Sequence, residues 1–210
     1  MLRDKYMGCI AASWIGSSMG AVVEGWSRER IKEKYGFFDK LDEYRHYVNV
    51  TNWTRMPGTT EDGIERQKLM ATAIIEKKDR ILAHDLLRVW LRDLDPAKMI
   101  YKQERFDKSL LELARAGTPP SELGRLWPFP NVNSVARASH VIGLINAGDP
   151  QGAADDTYEI GKLYAAEHYY PRHVIIGHMA MAIVAAVIAA APPAPAAPGD
   201  SRSARQPGRS

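Results

Sequence analysis

Residues 57–77 read PGTTEDGIERQKLMATAIIEK, a turn followed at once by a helical pattern. Pro57 and Gly58 form the kind of dipeptide that marks a turn. The apolar residues that follow lie close to one face of a helix: Ile64, Leu69, Met70, Ala73 and Ile74. The spacing therefore predicts a helix over 61–77. Residues 82–93 (LAHDLLRVWLRD) carry the same pattern and predict a second one.

Helical patterns recur along most of the chain. Further helices are predicted at 4–22, 27–35, 106–115, 135–147 and 151–168. Ser27 is a suitable N-cap for the second of these. Residues 38–58 form an irregular loop, and no segment sustains the alternation of a strand. We therefore predict an all-α fold with a single domain over residues 1–191.

Small residues and prolines suggest two further features. Gly16 and Gly20 lie four residues apart in the first helix, a spacing that permits close backbone approach by a neighbour. Residues 192–210 (PPAPAAPGDSRSARQPGRS) contain five Pro and no large apolar side chain, which predicts a disordered tail. The same composition is typical of a GC-rich gene read in a shifted frame.

Charge and cysteine content exclude several classes of protein. The formal net charge is +3, and three Arg and one Asp lie in the tail, so the body is nearly neutral. Nothing indicates a nucleic-acid-binding surface. A single cysteine, Cys9, rules out a disulfide framework within the chain and predicts a cytoplasmic protein.

Two apolar segments resemble membrane elements. Met1–Val23 mimics a signal peptide, but Asp4 and several small residues interrupt it. Val174–Ala191 has a borderline length for a membrane span, but it is mostly alanine. We expect neither segment to enter a membrane.

Oxygen-bearing side chains are concentrated at the start of the 61–77 helix. Thr59 and Asp62 roughly fit a capping box, and Asp62 and Arg66 are spaced for an ion pair on the surface. The alternative is a site for Mg²⁺, Mn²⁺ or Ca²⁺, because hydroxyl and carboxylate oxygens suit hard cations. A two-ion site would need more carboxylates from elsewhere in the fold.

Five segments in a fixed order resemble the ADP-ribosylglycohydrolase family, which includes the dinitrogenase-reductase-activating glycohydrolase. The first, GCIAASWIGSSMGAVVEGW, is similar to the family's first helix and ends near Glu24. The second, Thr60-Glu61-Asp62-Gly63, is similar to its Thr-Asp-Asp-Thr motif. The others are residues 85–96, 115–125 and 145–161. The resemblance covers nearly all of residues 4–168.

This resemblance implies a multi-helix orthogonal bundle with a binuclear Mg²⁺ or Mn²⁺ centre. Such enzymes hydrolyse the glycosidic bond between ADP-ribose and an acceptor, so the implied partner is an ADP-ribosylated protein or an ADP-ribose-like small molecule. Thr60, Glu61 and Asp62 would bind metal. Glu24 and Asp62 would be catalytic. The residues matching the family's substrate loop are Asn131, Asn133, Ser134 and Arg137. We expect a monomer.

The sequence also departs from the family pattern. Ser17 stands where the family has an aspartate, Glu61 replaces another, and Gly63 replaces a threonine. The family's second ligand motif, Gly-Asp-Thr-Asp, is missing near the C-terminus. Asp155-Asp156-Thr157 resembles it superficially, but we predict a helix surface there. Two alternatives to an active hydrolase therefore stay open: a non-catalytic nucleotide- or sugar-binding relative, and a C-terminally truncated, inactive fragment.

Overall fold

The computed structural model describes residues 2–45, 54–95, 104–126, 136, 138–164 and 187–190. We number eight helices within these ranges. They are α1 Leu2–Val23, α2 Arg28–Tyr35, α3 Asp62–Lys77, α4 Ala83–Asp93, α5 Glu104–Arg115, α6 Pro120–Leu126, α7 His140–Ile145 and α8 Pro150–Gly161. The described residues contain no β-strand, only an isolated bridge between Tyr44 and Arg55. The all-α prediction is confirmed.

Helix α4 lies at the centre of the described fold. It contacts α3, α5, α6 and α8, and its residues Leu86, Val89 and Trp90 are buried. Side chains from these neighbours complete one continuous apolar core, which includes Met70 of α3 and Ile160 of α8. Helix α1 packs at the edge of this core, against α3 and α7.

Local capping explains where several helices begin. The Ser27 side chain accepts a hydrogen bond from the Arg30 N–H at the start of α2, as its sequence predicts. The Asp149 carboxylate caps α8 in the same way through the Gly152 N–H. At α4, the carboxylate of Asp85 accepts from the Leu82 N–H.

Two helices end differently from their predicted bounds. Helix α7 begins at His140 rather than at 135, and it ends at Ile145, shortly before Gly148 turns the chain with a φ of 94°. Helix α8 ends at Gly161 rather than at 168, and residues 162–164 form a turn. The predicted tail at 192–210 and nearly all of Val174–Ala191 lie outside the described residues.

Helix α1 has the length and composition that a membrane crossing requires. Its segment Arg3–Val23 includes an 18-residue stretch with a mean hydropathy of 1.3, of which 17% is buried. A signal sequence and a core helix of a soluble protein both meet the same criterion. In this structure α1 contacts α3 and α7 and forms one wall of a cleft.

Candidate functional site

Glu61, the residue immediately before α3, has a buried side chain. Arg55 Nη1 donates to Glu61 Oε1 over 2.6 Å, and the Tyr44 hydroxyl donates to the same oxygen. Arg55 is 0% exposed and Glu61 is 4% exposed. We call Tyr44, Arg55 and Glu61 the buried triad. Arg55 neutralises the carboxylate within it.

The backbone holds the buried triad together. Tyr44 and Arg55 exchange two backbone hydrogen bonds, of 3.1 and 2.8 Å, across their isolated bridge. Burial, reinforced by the hydrogen bond to Glu61, raises the pKa of Tyr44 far above its usual value, although Arg55 acts in the opposite direction. The phenol therefore stays protonated and remains a hydrogen-bond donor to Glu61.

Asp62 and Thr60 face different partners from Glu61. Arg66 Nη1 donates to Asp62 Oδ2 over 2.8 Å, and the side chains of this pair are only 5% and 11% exposed. The expected pair thus forms, but the prediction that it lies on the surface is wrong, because both residues are buried. The Thr60 hydroxyl donates to Glu65 Oε1 over 3.2 Å.

The predicted capping box is wrong. Glu61, not Thr59, is the N-cap residue of α3, and its side chain makes no capping hydrogen bond. The Thr59 hydroxyl donates backwards, to the Met56 carbonyl, over 2.7 Å. The cluster of oxygen-bearing side chains therefore does not serve to cap the helix.

A cleft of about 450 Å³ opens between α1 and α3. Gly16 and Gly20 form part of its wall, and a Cβ atom added to either would meet nothing within 4 Å. Their spacing would permit a neighbour to approach closely, but in this structure the two glycines leave open space instead. Glu24, Glu61 and His140 also line the cleft.

The structure brings together only part of the predicted site. Among the described residues, Glu24 and Glu61 share the cleft lining, whereas Thr60 and Asp62 are not part of it. Asn131, Asn133, Ser134 and Arg137 lie outside the described residues. The association of Glu24 with Glu61 follows from the contact of α1 with α3.

Hydrogen bonds between α1 and the α3 region fix the cleft walls. Trp14 Nε1 donates to Gln67 Oε1 over 2.7 Å, and Gln67 Nε2 donates to Ser13 Oγ over 3.2 Å. Ser18 Oγ donates to the Gly58 carbonyl over 3.1 Å. Sequence inspection missed these residues, along with Tyr44 and Arg55, because partners so distant along the chain leave no local pattern.

The predicted metal ligands do not fit a binuclear Mg²⁺ or Mn²⁺ centre as they are arranged here. Thr60, Glu61 and Asp62 have suitable oxygen atoms, but their side chains diverge, and arginines neutralise both carboxylates. In the described part of the chain, no group of three or more His, Cys, Asp or Glu side chains could hold an ion. A cation would have to compete with Arg55 and Arg66.

The Asp155-Asp156-Thr157 segment lies on α8 and has structural contacts. Arg80 Nε and Asn146 Nδ2 donate to Asp156 Oδ2 over 2.6 and 2.8 Å. The Thr157 hydroxyl is buried and donates to the Ala153 carbonyl over 2.7 Å. Asp156 is therefore a tertiary anchor between α8, the α7 end and the loop before α4. The segment lies on a helix as predicted, but Thr157 is buried rather than on the helix surface.

Comparison with known proteins gives one match. The family model described as ADP-ribosylglycohydrolase matches residues 1–206. This range extends well beyond the 4–168 over which the motifs are visible by inspection. No curated protein and no solved structure matches the chain significantly.

Proposed function

Because the chain belongs to the ADP-ribosylglycohydrolase family, we propose that it hydrolyses the glycosidic bond between ADP-ribose and an acceptor in the α1–α3 cleft. The observation that carries this proposal is the cleft itself, whose lining combines the carboxylates of Glu24 and Glu61 with several small residues. Its volume of about 450 Å³ is within the range of small-molecule sites. Family membership implies an ADP-ribosylated substrate in general.

Glu24 is the carboxylate that we assign to proton transfer. It is exposed at the end of α1 and lines the cleft. Hydrolysis of a glycosidic bond requires a proton to reach the leaving group or to leave the attacking water, and a carboxylate within reach performs either task. Glu61 is bound by Arg55 and Tyr44, so we assign it an orienting role at the cleft wall.

Dependence on Mg²⁺ or Mn²⁺ is a question that the proposal leaves to experiment, and no step of the proposed reaction is assigned to a metal ion. The resemblance implies such dependence, but the ion pairs of Glu61 and Asp62 give a divalent ion strong competition. That observation favours a second candidate function, in which the chain binds an ADP-ribose-like ligand without turnover. The two functions differ in whether free ADP-ribose is released and whether EDTA abolishes the release.

Two variants test the proposal. Glu24→Gln should retain ADP-ribose binding by calorimetry and lose about 10²–10⁴-fold in the rate of ADP-ribose release. Gly20→Phe should abolish binding, because the ring would enter the open space of the cleft. Gly8→Phe is the matched control, since Gly8 is exposed on the same helix, has equal room for a Cβ atom and does not line the cleft.

The possible outcomes separate the candidates. Turnover that falls in Glu24→Gln but not in Gly8→Phe supports the hydrolase. Binding without turnover, lost in Gly20→Phe, supports the non-catalytic relative. Unchanged turnover in Gly20→Phe would show that the reaction takes place outside this cleft and would overturn both.

A further inference from the structure

A second pocket is lined by residues of α2 and of the segments around the isolated bridge, with Tyr44 among them. Its volume is about 530 Å³. We call it the basic-aromatic pocket. Its lining includes the cations Arg30, Lys34 and Arg45 and the rings of Trp26, Tyr35 and Tyr44. Glu43 is the single carboxylate among the described lining residues, which leaves a net charge of +2.

Aromatic rings, rather than carboxylates, hold two of these cations. The Arg30 guanidinium lies 3.7 Å from the centre of the Trp26 ring. Lys34 Nζ lies 5.0 Å from the same ring and 5.1 Å from that of Tyr35. The two rings are themselves stacked, with centroids 6.3 Å apart. A cation over a ring keeps its full charge and its hydrogen-bond donors, and it is positioned before any ligand arrives.

The three cations have no ion-pair partner within the part of the chain that the structure describes. Arg45 makes a long side-chain contact with Thr54, 3.4 Å between Nε and Oγ1, and Glu43 is not within ion-pair distance of any of the three. Arg30 and Lys34 are one helical turn apart on α2, so their like charges destabilise that helix. An anion bound between them would relieve this repulsion.

We propose that the basic-aromatic pocket binds a diphosphate group, either as free pyrophosphate or as part of a nucleotide. A diphosphate carries several negative charges and many acceptor oxygens. Three cations with several N–H donors each complement it in both charge and hydrogen bonding. The pocket is large enough for it, and the exposure of Arg30, Lys34 and Arg45 gives it direct access. This binding does not depend on hydrolysis in the α1–α3 cleft.

The Trp26 indole N–H provides a local probe. Its signal in a ¹H–¹⁵N spectrum is assigned by its loss in Trp26→Phe. Titration uses pyrophosphate, ADP and adenosine in turn, with EDTA, at about 0.15 M salt, where the Debye length of about 8 Å limits general charge effects. We expect pyrophosphate and ADP to shift the signal saturably, whereas adenosine does not. Ligand bound only in the cleft would leave this signal unmoved.

Two double variants on one helix supply the decisive comparison. Arg30→Ala/Lys34→Ala should weaken pyrophosphate binding by at least about tenfold, because two charge-assisted contacts are lost. The control is Arg28→Ala/Lys32→Ala, which removes the same charge from α2 at exposed residues that do not line the basic-aromatic pocket. Its affinity for pyrophosphate should stay within about twofold of that of the unmodified protein. Because all four side chains are exposed, both variants should fold, as circular dichroism can verify.

Each outcome bears on the proposal. Equal binding of pyrophosphate and ADP identifies the diphosphate as the whole ligand, and tighter binding of ADP means that the nucleoside contributes as well. Binding of ADP without pyrophosphate, equal weakening in both double variants, or no shift of the Trp26 signal would each overturn it.

Discussion

Arg55→Met would remove the guanidinium that neutralises Glu61 inside the protein. Arg55 is 0% exposed and Glu61 is 4% exposed, and their side chains meet at 2.6 Å. Removing one member of a buried ion pair costs about 3–5 kcal/mol, because a buried charge is left uncompensated. We therefore expect the free energy of unfolding to fall by about 3–5 kcal/mol. That is a large part of the 5–15 kcal/mol of a typical domain.

A double-mutant cycle isolates the pair. Glu61→Leu alone should also destabilise the fold, since it leaves the Arg55 charge buried. Arg55→Met/Glu61→Leu should be more stable than either single variant, because an apolar pair can replace a buried ion pair at little cost. The control is Lys68→Met, which breaks the exposed pair of Lys68 with Glu65 and should cost less than about 1 kcal/mol.

Urea unfolding followed by circular dichroism measures these values, with the slope m showing whether the transitions are comparable. Adding Mn²⁺ extends the experiment. A cation that takes the place of the guanidinium would stabilise Arg55→Met more than the unmodified chain, in proportion to ln(1 + [Mn²⁺]/Kd). A loss of under about 1 kcal/mol in Arg55→Met, equal to that of Lys68→Met, would refute the reasoning that Glu61 is held by a buried ion pair.

Two further predictions concern helix starts. Burial alone would raise the pKa of Asp85, but hydrogen bonds from Lys77 and the Leu82 N–H lower it below its usual value. A carboxylate with a lowered pKa stabilises the fold above its unfolded pKa of about 3.9, and this stabilisation is lost as the pH falls through the folded pKa. Asp85→Asn should therefore cost about 1–3 kcal/mol at pH 7 in thermal unfolding, and the difference should shrink as the pH falls through that lowered pKa. In Gly152→Ala, the new Cβ would lie 2.1 Å from Asp149 Oδ2 and displace the α8 cap, for a loss of about 1–2 kcal/mol in the same assay. An unchanged melting temperature would contradict either one.

Local patterns were sufficient for α3 and α4, although not for the bounds of α7 and α8. The apolar spacing of residues 61–77 and 82–93 predicts α3 and α4 to within a residue or two, because both helices bury one face against the common core. The Ser27 cap is equally local, since its hydrogen bond reaches only to Arg30. The resemblance adds the family, which the match over residues 1–206 bears out.

The site could not be predicted from such patterns, because tertiary contacts decide it. Arg55 lies in a segment interpreted as an irregular loop, and only its bridge to Tyr44 turns it towards Glu61. Gly16 and Gly20 have a spacing that suits a helix contact, yet whether a neighbour fills the space depends on where α3 lies. The sequence alone reveals neither the direction of the Arg55 side chain nor the position of α3 relative to the two glycines. It does indicate which residue types are available.

The charges around the α3 N-terminus bear on metal binding, which does not follow from family membership alone. Two carboxylates, Glu61 and Asp62, are balanced there by two guanidinium groups, Arg55 and Arg66. Together these four side chains carry no net charge. The carboxylates would attract a divalent ion and the arginines would repel it from similar distances, so the two effects would nearly cancel. Little net attraction would then offset the cost of removing water from the ion. The same oxygen atoms without the arginines would form a net negative set that attracts the ion. We therefore expect any affinity of this chain for Mg²⁺ or Mn²⁺ to depend on Arg55 and Arg66 as much as on the residues of the family motif.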